Sequence, residues 1–445
     1  MFDLVGLHRA FPDQLPCLLQ SAVADAGRLE SARYDILFAF PRDALILGSD
    51  GVLRLNGTVM PDHDFLATLD RLHAEAAREA PRLTGEVPFR GGWFLFLGYE
   101  LAAQIEPRLR LPKGRADFPV AVALRIPAAI VNDHATGETR LVAEEPADLA
   151  RLEAALAEAP AVPAQRGPTV TVVEDPPERY LAQARRVHRY IVDGDVFQVN
   201  LSRAWRGPRP AGLEAGELYR RLCRSNPAPY AGIARLPGGT VLSSSPERLL
   251  RIRGRIAETR PIAGTRPRDA AAGADAALKA ELIGHPKERA EHVMLIDLER
   301  NDLGRICMPG SIEVSEMMTL ESYAHVHHIV SNVRGRLRPE VTPGAAIRAV
   351  FPGGTITGCP KERCMAIIAE LEETARGAYT GSMGYLNHDG SLDLNILIRT
   401  ITVHDDEVIL RAGAGLVADS VPERELTETR HKARGLLQAL EGSLT

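Results

Sequence analysis

Runs of apolar residues bounded by polar or turn-forming residues mark the strands in the first third of the chain. These runs lie at 34–40, 92–99 and 120–126. A stretch rich in Ala, Leu and Glu predicts a helix over about 146–158. The proline-rich residues 160–168 then predict a linker. The chain is therefore expected to divide into an N-terminal region, 1–160, and a C-terminal region, 170–445.

The C-terminal region combines helical and strand patterns. Asp175-Pro-Pro-Glu178 has the composition of a helix start. The residues after it place apolar side chains on one helical face: Leu181, Ala184, Val187 and Ile191. Further helices are expected around 286–302 and 422–440, and strands near 325–335, 380–386, 393–402 and 407–413. Because strands and helices are mixed without a regular β-α-β alternation, the pattern predicts an α+β fold rather than a doubly wound sheet.

The composition limits the classes of protein to consider. With 445 residues, of which 45% are apolar and 25% charged, the chain is typical of a soluble protein with a full core. The net charge of −5 gives no sign of a nucleic-acid or anionic-membrane surface. No uncharged apolar run reaches the ~20 residues of a membrane span, and the first residues do not form a signal peptide. Five scattered cysteines without a Cys-x-x-Cys pair predict reduced thiols in the cytoplasm.

Two Glu-x-x-Glu spacings carry the first candidate chemistry. Glu288 and Glu291 follow one proline-opened helix start, and Glu425 and Glu428 follow another. Residues three apart share a helix face, so each pair directs two carboxylates the same way. If the two faces meet, four oxygen donors converge, which suits Mg²⁺. An isolated pair of this kind is more often a solvated surface, so the surrounding motifs decide between the two interpretations.

Three further motifs are weak when taken singly. Residues 259–268 read TRPIAGTRPR and could be any basic loop. Residues 351–361 read FPGGTITGCPK; they lack the Gly-Lys-Ser/Thr of a phosphate loop, although their N–H groups could bind a carboxylate. His325-Val-His-His328 offers at most two ligands from one strand face, so a single functional histidine is favoured over a zinc site.

Eight motifs in order nevertheless resemble one enzyme family. They read SSSPER (243–248), TRPIAGTRPR (259–268), KERAEH (287–292), DLERNDLGR (297–305), HVHHIVS (325–331), FPGGTITGCPK (351–361), DLNILIRT (393–400) and AGAG (412–415). This order is similar to that of the chorismate-using enzymes, which include component I of anthranilate synthase and of aminodeoxychorismate synthase. The resemblance is specific over about 175–440. It implies an α+β sandwich of two facing antiparallel β-sheets with helices outside.

The resemblance also implies roles for individual residues. Glu247 would be the general acid that protonates the departing C4 hydroxyl of chorismate, and His328 and Thr355 would lie near the ring. Mg²⁺ would bridge Glu288, Glu291, Glu425 and Glu428 to the ring carboxylate. The substrate carboxylates and ring would be held by residues of five other segments: Gly264, Thr265, Tyr379, Arg399, Ala412, Gly413, Ala414, Gly415 and Lys432.

The subfamily depends on a few positions. In relatives of the aminodeoxychorismate synthase type, a lysine nucleophile often stands where this chain has Ala263; alanine there is typical of anthranilate synthase. Other motifs, among them Phe197-Gln-Val-Asn-Leu-Ser202, look more like aminodeoxychorismate synthase. Gln20 also replaces a glutamate expected of a tryptophan-inhibited anthranilate synthase. The combined features predict aminodeoxychorismate synthase component I acting in 4-aminobenzoate and folate synthesis, with anthranilate synthase component I as the alternative.

Without an enzyme amine, ammonia itself is expected to add at C2, giving noncovalent 2-amino-2-deoxyisochorismate. The resemblance implies that a separate glutamine amidotransferase subunit supplies the ammonia, since this chain lacks the Gly-x-Cys-x-Gly elbow of such enzymes. Two other classes stay open. One is a binding module that keeps the fold without catalysis, and the other is a metalloprotein built on the histidine cluster.

Overall fold

The computed structural model describes residues 1–23, 30–81, 86–158, 167–268, 271–322 and 326–442. Nearly all of the predicted linker at 160–168, together with His325, lies outside the described residues. The backbone of Thr265 is described, but its side chain is not.

Most of the longer helices begin either with a residue whose side chain accepts a hydrogen bond from a backbone N–H of the first turn, or with a proline, which has no N–H group that needs a partner. Asp3, Asp64 and Thr342 accept a hydrogen bond from the first turn of their helices, and five helices have proline at their start. The helices are α1 (Leu4–Ala10), α2 (Phe65–Glu79), α3 (Ala102–Ile105), α4 (Pro146–Ala157), α5 (Pro177–Val192), α6 (Ala215–Ser225), α7 (Ala272–Gly284), α8 (Pro286–Gly304), α9 (Pro343–Val350), α10 (Lys361–Glu372) and α11 (Pro422–Glu441).

Strands are distributed along the whole chain. In chain order they are β1 (Cys17–Gln20), β2 (Tyr34–Ala39), β3 (Ala44–Leu47), β4 (Leu53–Leu55), β5 (Thr58–Val59), β6 (Gly92–Leu97), β7 (Ala121–Ile126), β8 (Ala128–Asp133), β9 (Glu138–Ala143), β10 (Val173–Glu174), β11 (Gln198–Pro208), β12 (Tyr230–Leu236), β13 (Gly239–Ser245), β14 (Arg248–Arg253), β15 (Ile256–Arg260), β16 (Ile262–Pro267), β17 (Glu313–Ser322), β18 (Val326–Arg336), β19 (Gly358–Cys359), β20 (Ser382–Asn387), β21 (Leu392–Asn395), β22 (Thr400–Val403) and β23 (Glu407–Leu416).

The strands of the described residues form two large sheets, in which every recorded pairing is antiparallel. The first sheet has the order β10-β11-β23-β22-β13-β12-β1-β2-β8-β9, with β19 beside β11. The second has the order β16-β18-β15-β14-β21-β20-β6-β7-β3-β4-β5, with β17 beside β18. In each sheet the strands of the C-terminal region form one half and those of the N-terminal region form the other, and the halves are joined by the pairings β12–β1 and β20–β6. The sandwich is therefore one continuous structure rather than two separate ones.

The core has three layers. Between the sheets, Phe38 of the first packs edge-to-face against Phe94 of the second, with ring centroids 5.3 Å apart. Outside the first sheet, α1, α6 and α11 supply apolar residues such as Leu222 and Leu436. Outside the second sheet, α2, α8 and α9 do the same. Burial of each such side chain contributes about 1.5–3 kcal/mol. The predicted α+β fold of two facing antiparallel sheets with helices outside is confirmed.

One predicted strand is wrong. The expected strand at 393–402 is two strands, β21 in the second sheet and β22 in the first. Between them the chain crosses from one sheet to the other, and Arg399 adopts φ +53°, in the left-handed region. Both halves are buried, so the sequence shows one unbroken apolar run although the backbone changes direction.

All five cysteines are free thiols. Within the described ranges, none of the helices combines the length and the apolar composition needed to cross a bilayer.

Candidate active site

Two neighbouring crossings between the sheets place the central side chains of the site. Glu247 lies in the link from β13 to β14, and Arg399 lies in the link from β21 to β22. The links run side by side, because the Ile396 N–H donates to the Glu247 carbonyl at 3.0 Å and the Ser244 N–H donates to the Arg399 carbonyl at 3.1 Å. A carboxyl and a guanidinium are thus fixed by backbone hydrogen bonds at the point where both sheets contribute.

Glu247 is a buried carboxyl, with 4% of the residue exposed. Burial raises its pKa to about 7, opposed by the neighbouring Thr355 hydroxyl and Ile262 N–H and by the charge of Arg399. Thr355 belongs to a single 3₁₀ turn, Gly354–Ile356. At neutral pH about half of a carboxyl with this pKa is protonated, and the protonated form is the one that a general acid requires.

Arg399 is a half-buried guanidinium for which no hydrogen bond or ion pair of the side chain is recorded among the described residues. Burial lowers its pKa, opposed by the nearby Tyr379, Glu428 and Glu247. Because arginine stays charged in proteins, a partly desolvated guanidinium without a bound carboxylate is suited to bind an anion.

The glycines of β23 turn their backbone polar groups away from the neighbouring strand β11. Asn200 of β11 lies opposite Gly415, but its N–H donates to the Thr357 carbonyl at 2.9 Å on the far side. In an antiparallel ladder such pairs alternate with hydrogen-bonded ones, so Gly413, two residues away, has the same orientation. The N–H groups of Gly413 and Gly415 therefore point toward β22, away from β11.

That side of β23 is open, because pairing with β22 ends at Leu410. Lys432 of α11 reaches this edge, and its Nζ donates to the Gly413 carbonyl at 3.0 Å. The edge thus presents two backbone N–H groups beside an ammonium group, an arrangement that favours an anion. By contrast, Ala412 and Ala414 direct their backbone groups into the ladder with β11, and both side chains are buried.

Close packing explains why glycine occupies two of these positions. A Cβ on Gly413 would lie 2.8 Å from the Tyr379 hydroxyl, and one on Gly415 would lie 2.6 Å from Gln198 Nε2. Gln198 Oε1 and Asn200 Oδ1 are buried without a hydrogen-bond partner among the described residues. These two amides border the site but were missed as site residues by sequence reasoning; their only signal was their place in the motif at 197–202.

The other wall comes from β16 and β18. Gly264 has φ +68°, and a Cβ there would lie 2.9 Å from Glu288 Oε2. Ala263 beside it presents only a methyl group. His328 is 5% exposed, and burial, together with Arg399, lowers its pKa to about 4, so its imidazole is neutral at neutral pH. Tyr379, also buried, approaches from the segment before β20.

His327 has a structural role instead. Its side chain lies within hydrogen-bond distance of Asp275 on α7, with Nε2 2.8 Å from Oδ1, and of Ser322, with Nδ1 2.8 Å from Oγ. Both ring nitrogens are therefore engaged in holding α7 against β17 and β18.

The two acidic pairs border the site from opposite sides. Glu288 of α8 lies beside Gly264 and forms an ion pair with Arg266 at 3.2 Å. Glu428 of α11 forms an ion pair with Lys432 at 2.6 Å. All-carboxylate donors fit the oxygen preference of Mg²⁺. In the described part of the chain no three His, Cys, Asp or Glu side chains are already grouped as a metal site, and the Mg²⁺ site formed with Glu291 and Glu425 stays a prediction.

A second cavity opens between the sheets, away from these residues. Its lining includes Gln20, Tyr230, Arg248 and Asp393. Gln20 Oε1 accepts a hydrogen bond from the Tyr219 hydroxyl at 3.3 Å. A neutral amide thus stands at the position where the sequence analysis expected a glutamate in tryptophan-inhibited relatives.

Known proteins share both the sequence and the fold of this chain. The family model for chorismate binding enzymes matches residues 28–438. An anthranilate synthase component I-like protein of Synechocystis is 44% identical over 80% of this chain and 74% of its own. Aminodeoxychorismate synthase component 1 of Bacillus subtilis is 39% identical over 93% and 91%. The crystal structure of anthranilate synthase component I from Streptococcus pneumoniae superimposes with a TM-score of 0.81 at 31% identity, covering 91% of this chain and 92% of the other.

Proposed function

The chain belongs to the chorismate-binding enzyme family, and we propose that within it the protein acts as component I of an aminodeoxychorismate synthase. It would convert chorismate and ammonia to 4-amino-4-deoxychorismate. The observation that carries an amination of chorismate is the juxtaposition of Glu247, a buried carboxyl with a pKa of about 7, with the guanidinium of Arg399, which has no recorded carboxylate partner among the described residues.

Chorismate carries two carboxylates, so its site must supply positive charge and N–H donors. Arg399 supplies a guanidinium with no competing carboxylate, and Gly413 and Gly415 supply backbone N–H groups. Lys432 adds an ammonium group at the same edge. Mg²⁺, held by the carboxylates of α8 and α11, would supply further positive charge for the ring carboxylate.

Loss of the C4 hydroxyl is the difficult step, because hydroxide is a poor leaving group at neutral pH. Glu247 would donate its proton so that the group departs as water, while ammonia forms the bond at C2 and the ring double bonds shift. His328, neutral at this pH, can accept a hydrogen bond from an ammonium proton. A second ammonia would then bond to C4 as the C2 amine leaves as ammonia, giving the 4-amino product.

Ala263 supports a noncovalent route. The residue is buried and offers no amine, so ammonia is the nucleophile at C2. The same alanine favours the second candidate function, anthranilate synthase, in which the C2 adduct loses its C2 proton and pyruvate instead. The motif at 197–202 and the neutral Gln20 favour the 4-amino product.

Product analysis distinguishes the two. The chain is incubated with chorismate, Mg²⁺ and an ammonium salt at mildly alkaline pH, with and without a glutamine amidotransferase subunit plus glutamine. A lyase that converts aminodeoxychorismate to 4-aminobenzoate is added before chromatography and mass spectrometry. We expect 4-aminobenzoate. Anthranilate as the main product would reject the proposal, and a covalent lysine adduct during turnover would reject the noncovalent route.

The second cavity predicts that tryptophan does not inhibit the enzyme. Gln20 lacks the negative charge that would pair with the ammonium group of the amino acid, and a charged partner of this kind contributes about 1.5–3 kcal/mol. Chorismate consumption should be unchanged at tryptophan concentrations that inhibit a sensitive anthranilate synthase assayed in parallel. Gln20→Glu is the matched variant, and thermal shift should detect tryptophan binding to it but not to the wild type. Strong inhibition of the wild type would contradict the prediction.

A further inference from the structure

Three large apolar side chains are exposed at one end of the first sheet. Val192 is the last residue of α5, Phe197 lies just before β11, and Val421 lies just before α11. Their exposed fractions are 69%, 67% and 42%. We refer to these three side chains as the apolar patch. Single exposed apolar side chains are common on proteins, but several at one place mark an interaction surface.

Contacts between α5 and the segment before α11 bring two members of the patch to the same place. His188 Nε2 of α5 lies within hydrogen-bond distance of the Ala418 carbonyl oxygen, at 2.9 Å. Val192 is four residues after His188 and therefore shares its face of the helix. Val421 is three residues after Ala418. The end of α5 thus lies beside the segment that leads into α11.

The pairing of β11 with β23 brings Phe197 to the same end of the sheet. The ladder between these strands ends at the pair Val199–Leu416. Phe197 is two residues before Val199, and Ala418 is two residues after Leu416, so both lie just beyond the last pair. The backbone N–H of Phe197 donates to the Cys359 carbonyl at 2.8 Å, which fixes the backbone while the ring stays exposed.

The apolar patch adjoins the active site. Phe197 precedes Gln198, whose Nε2 lies 2.6 Å from the place that a Cβ on Gly415 would take. Val421 precedes α11, which carries Glu428 in its second turn. The side chain of Glu428 is 47% exposed, so solvent reaches the site near the start of α11. A protein bound to the patch would therefore lie beside this opening.

The proposed reaction indicates which protein should bind there. In water at neutral pH ammonia is mostly ammonium, which has no lone pair and cannot attack C2. A source of ammonia that binds closely against the site keeps water out of the path. Apolar side chains at the contact also exclude the ammonium ion, which would lose its hydration there. Relatives of this chain are named component 1 or component I of their enzymes, which implies a further component in those enzymes.

The charges around the patch are arranged as in other protein interfaces. Two ion pairs flank it, Arg185–Glu423 at 3.3 Å and Arg363–Asp195 at 2.9 Å. Asp195 is two residues before Phe197, and Glu423 belongs to the first turn of α11. An apolar centre with a polar margin is the usual composition of a surface that binds a partner reversibly.

We propose that the apolar patch is the docking surface for a glutamine amidotransferase subunit, with Phe197 as the central contact. The inference rests on the proposed function, in which ammonia is the nucleophile. A subunit bound there would release ammonia beside Gln198 rather than into solvent. Phe197 does not touch the substrate; exposed aromatic side chains of this kind supply much of the binding energy at the centre of an interface.

Phe197→Asp tests the proposal, because it places a charge in the patch and leaves the backbone hydrogen bond in place. The probe is the amidotransferase subunit used in the product assay. The subunit concentration that gives half-maximal glutamine-dependent chorismate consumption should rise about 30-fold or more, as expected for a central aromatic contact. Consumption with an ammonium salt in place of glutamine should stay within about twofold of the wild type, since the side chain lies outside the site.

Two further variants make the result specific to the patch. Val192→Asp changes the same surface from α5 and leaves β11 untouched, so it should also raise the half-maximal subunit concentration. Val59→Asp is the matched control, because it makes the same change at a side chain that is 61% exposed on β5, in the other sheet. Both its glutamine-dependent and its ammonium-dependent consumption should equal those of the wild type.

A trap for free ammonia adds a readout that a folding defect would not change. Glutamate dehydrogenase with 2-oxoglutarate and NADPH removes ammonia from solution. In the wild type the trap should leave glutamine-dependent consumption nearly unchanged. In Phe197→Asp it should abolish most of the remaining glutamine-dependent consumption, because the ammonia then reaches the site through solvent.

Several outcomes would overturn the proposal. One is wild-type subunit dependence in both patch variants. Another is an equal loss of glutamine-dependent and ammonium-dependent consumption, which indicates a folding role, and a third is a wild-type chain that does not bind the subunit in calorimetry. Calorimetry needs no turnover, so the two proposals fail separately. A chain that binds the subunit through Phe197 but does not consume chorismate with ammonium would support the docking surface and refute the proposed function.

Discussion

Glu247→Gln is expected to lower kcat for chorismate about 10³-fold and to leave KM nearly unchanged. Glutamine has the shape of the protonated acid but cannot give up a proton to the departing C4 hydroxyl, and a positioned general acid contributes about 10²–10⁴-fold. In the wild type, activity should also decline above about pH 7, as the Glu247 carboxyl ionises. Steady-state kinetics between pH 6 and pH 9 (about the range that brackets this pKa) measures both effects.

The same substitution should stabilise the fold, in a manner that depends on pH. The native state raises the pKa of Glu247 from 4.5 to about 7. Between these pH values the native protein holds a proton that the unfolded chain releases, so the free energy of unfolding falls as pH rises, by about 3 kcal/mol in total. Glutamine removes this cost. The variant should therefore unfold at higher denaturant concentration than the wild type at pH 8 (about one unit above the pKa). The difference between the two denaturant midpoints should shrink as the pH is lowered toward 4.5, the pKa of the carboxyl in the unfolded chain. A variant that is destabilised at alkaline pH, or that keeps wild-type kcat, would show that Glu247 is not the acid.

The elements that the sequence predicted well are those whose signals are local. The helices α8 and α11 each begin with a proline, and the sequence predicted both of them to within two residues of the observed bounds. The strands β2, β6 and β7 are confirmed for the same reason, since each is a short apolar run between turn residues. The α+β class followed from the mixture of strand and helix patterns, and the sandwich of two facing sheets followed from the resemblance of the ordered motifs.

The site was predicted less completely because its geometry depends on distant contacts. The apolar run at 393–402 gave no sign of the crossing that gives Arg399 its positive φ. The orientation of the Gly413 and Gly415 N–H groups follows from the register between β11 and β23, about two hundred residues apart in sequence. Gln198 was overlooked because a lone amide in a strand has no periodic signal.

Arg399→Met should weaken substrate use more than any other single change in the anion-binding part of the site. The guanidinium is partly desolvated and has no recorded carboxylate partner among the described residues, so it is available to bind a substrate carboxylate. Removing one partner of such a charge pair costs about 2–5 kcal/mol, which corresponds to a fall of about 30-fold to about 5,000-fold in kcat/KM. Most of the fall should appear as a higher KM for chorismate. Arg399→Lys should recover part of it, because lysine keeps the charge but not the planar fork.

Stability separates this role from a structural one. Arg376 is buried and contacts Glu372, with Nη2 2.7 Å from Oε1. Arg376→Met should destabilise the fold by about 3–5 kcal/mol, because it removes this buried ion pair and the hydrogen bonds that Arg376 donates to the Asn200 and Ile356 carbonyls. Arg399→Met breaks no recorded ion pair, so its thermal midpoint should stay at or above that of the wild type. The two variants should therefore differ: Arg376→Met should lose stability, whereas Arg399→Met should keep its stability and bind chorismate less tightly. If Arg399→Met instead unfolds as readily as the Arg376 variant, or keeps its KM, the guanidinium supports the crossing between the sheets and does not bind the substrate.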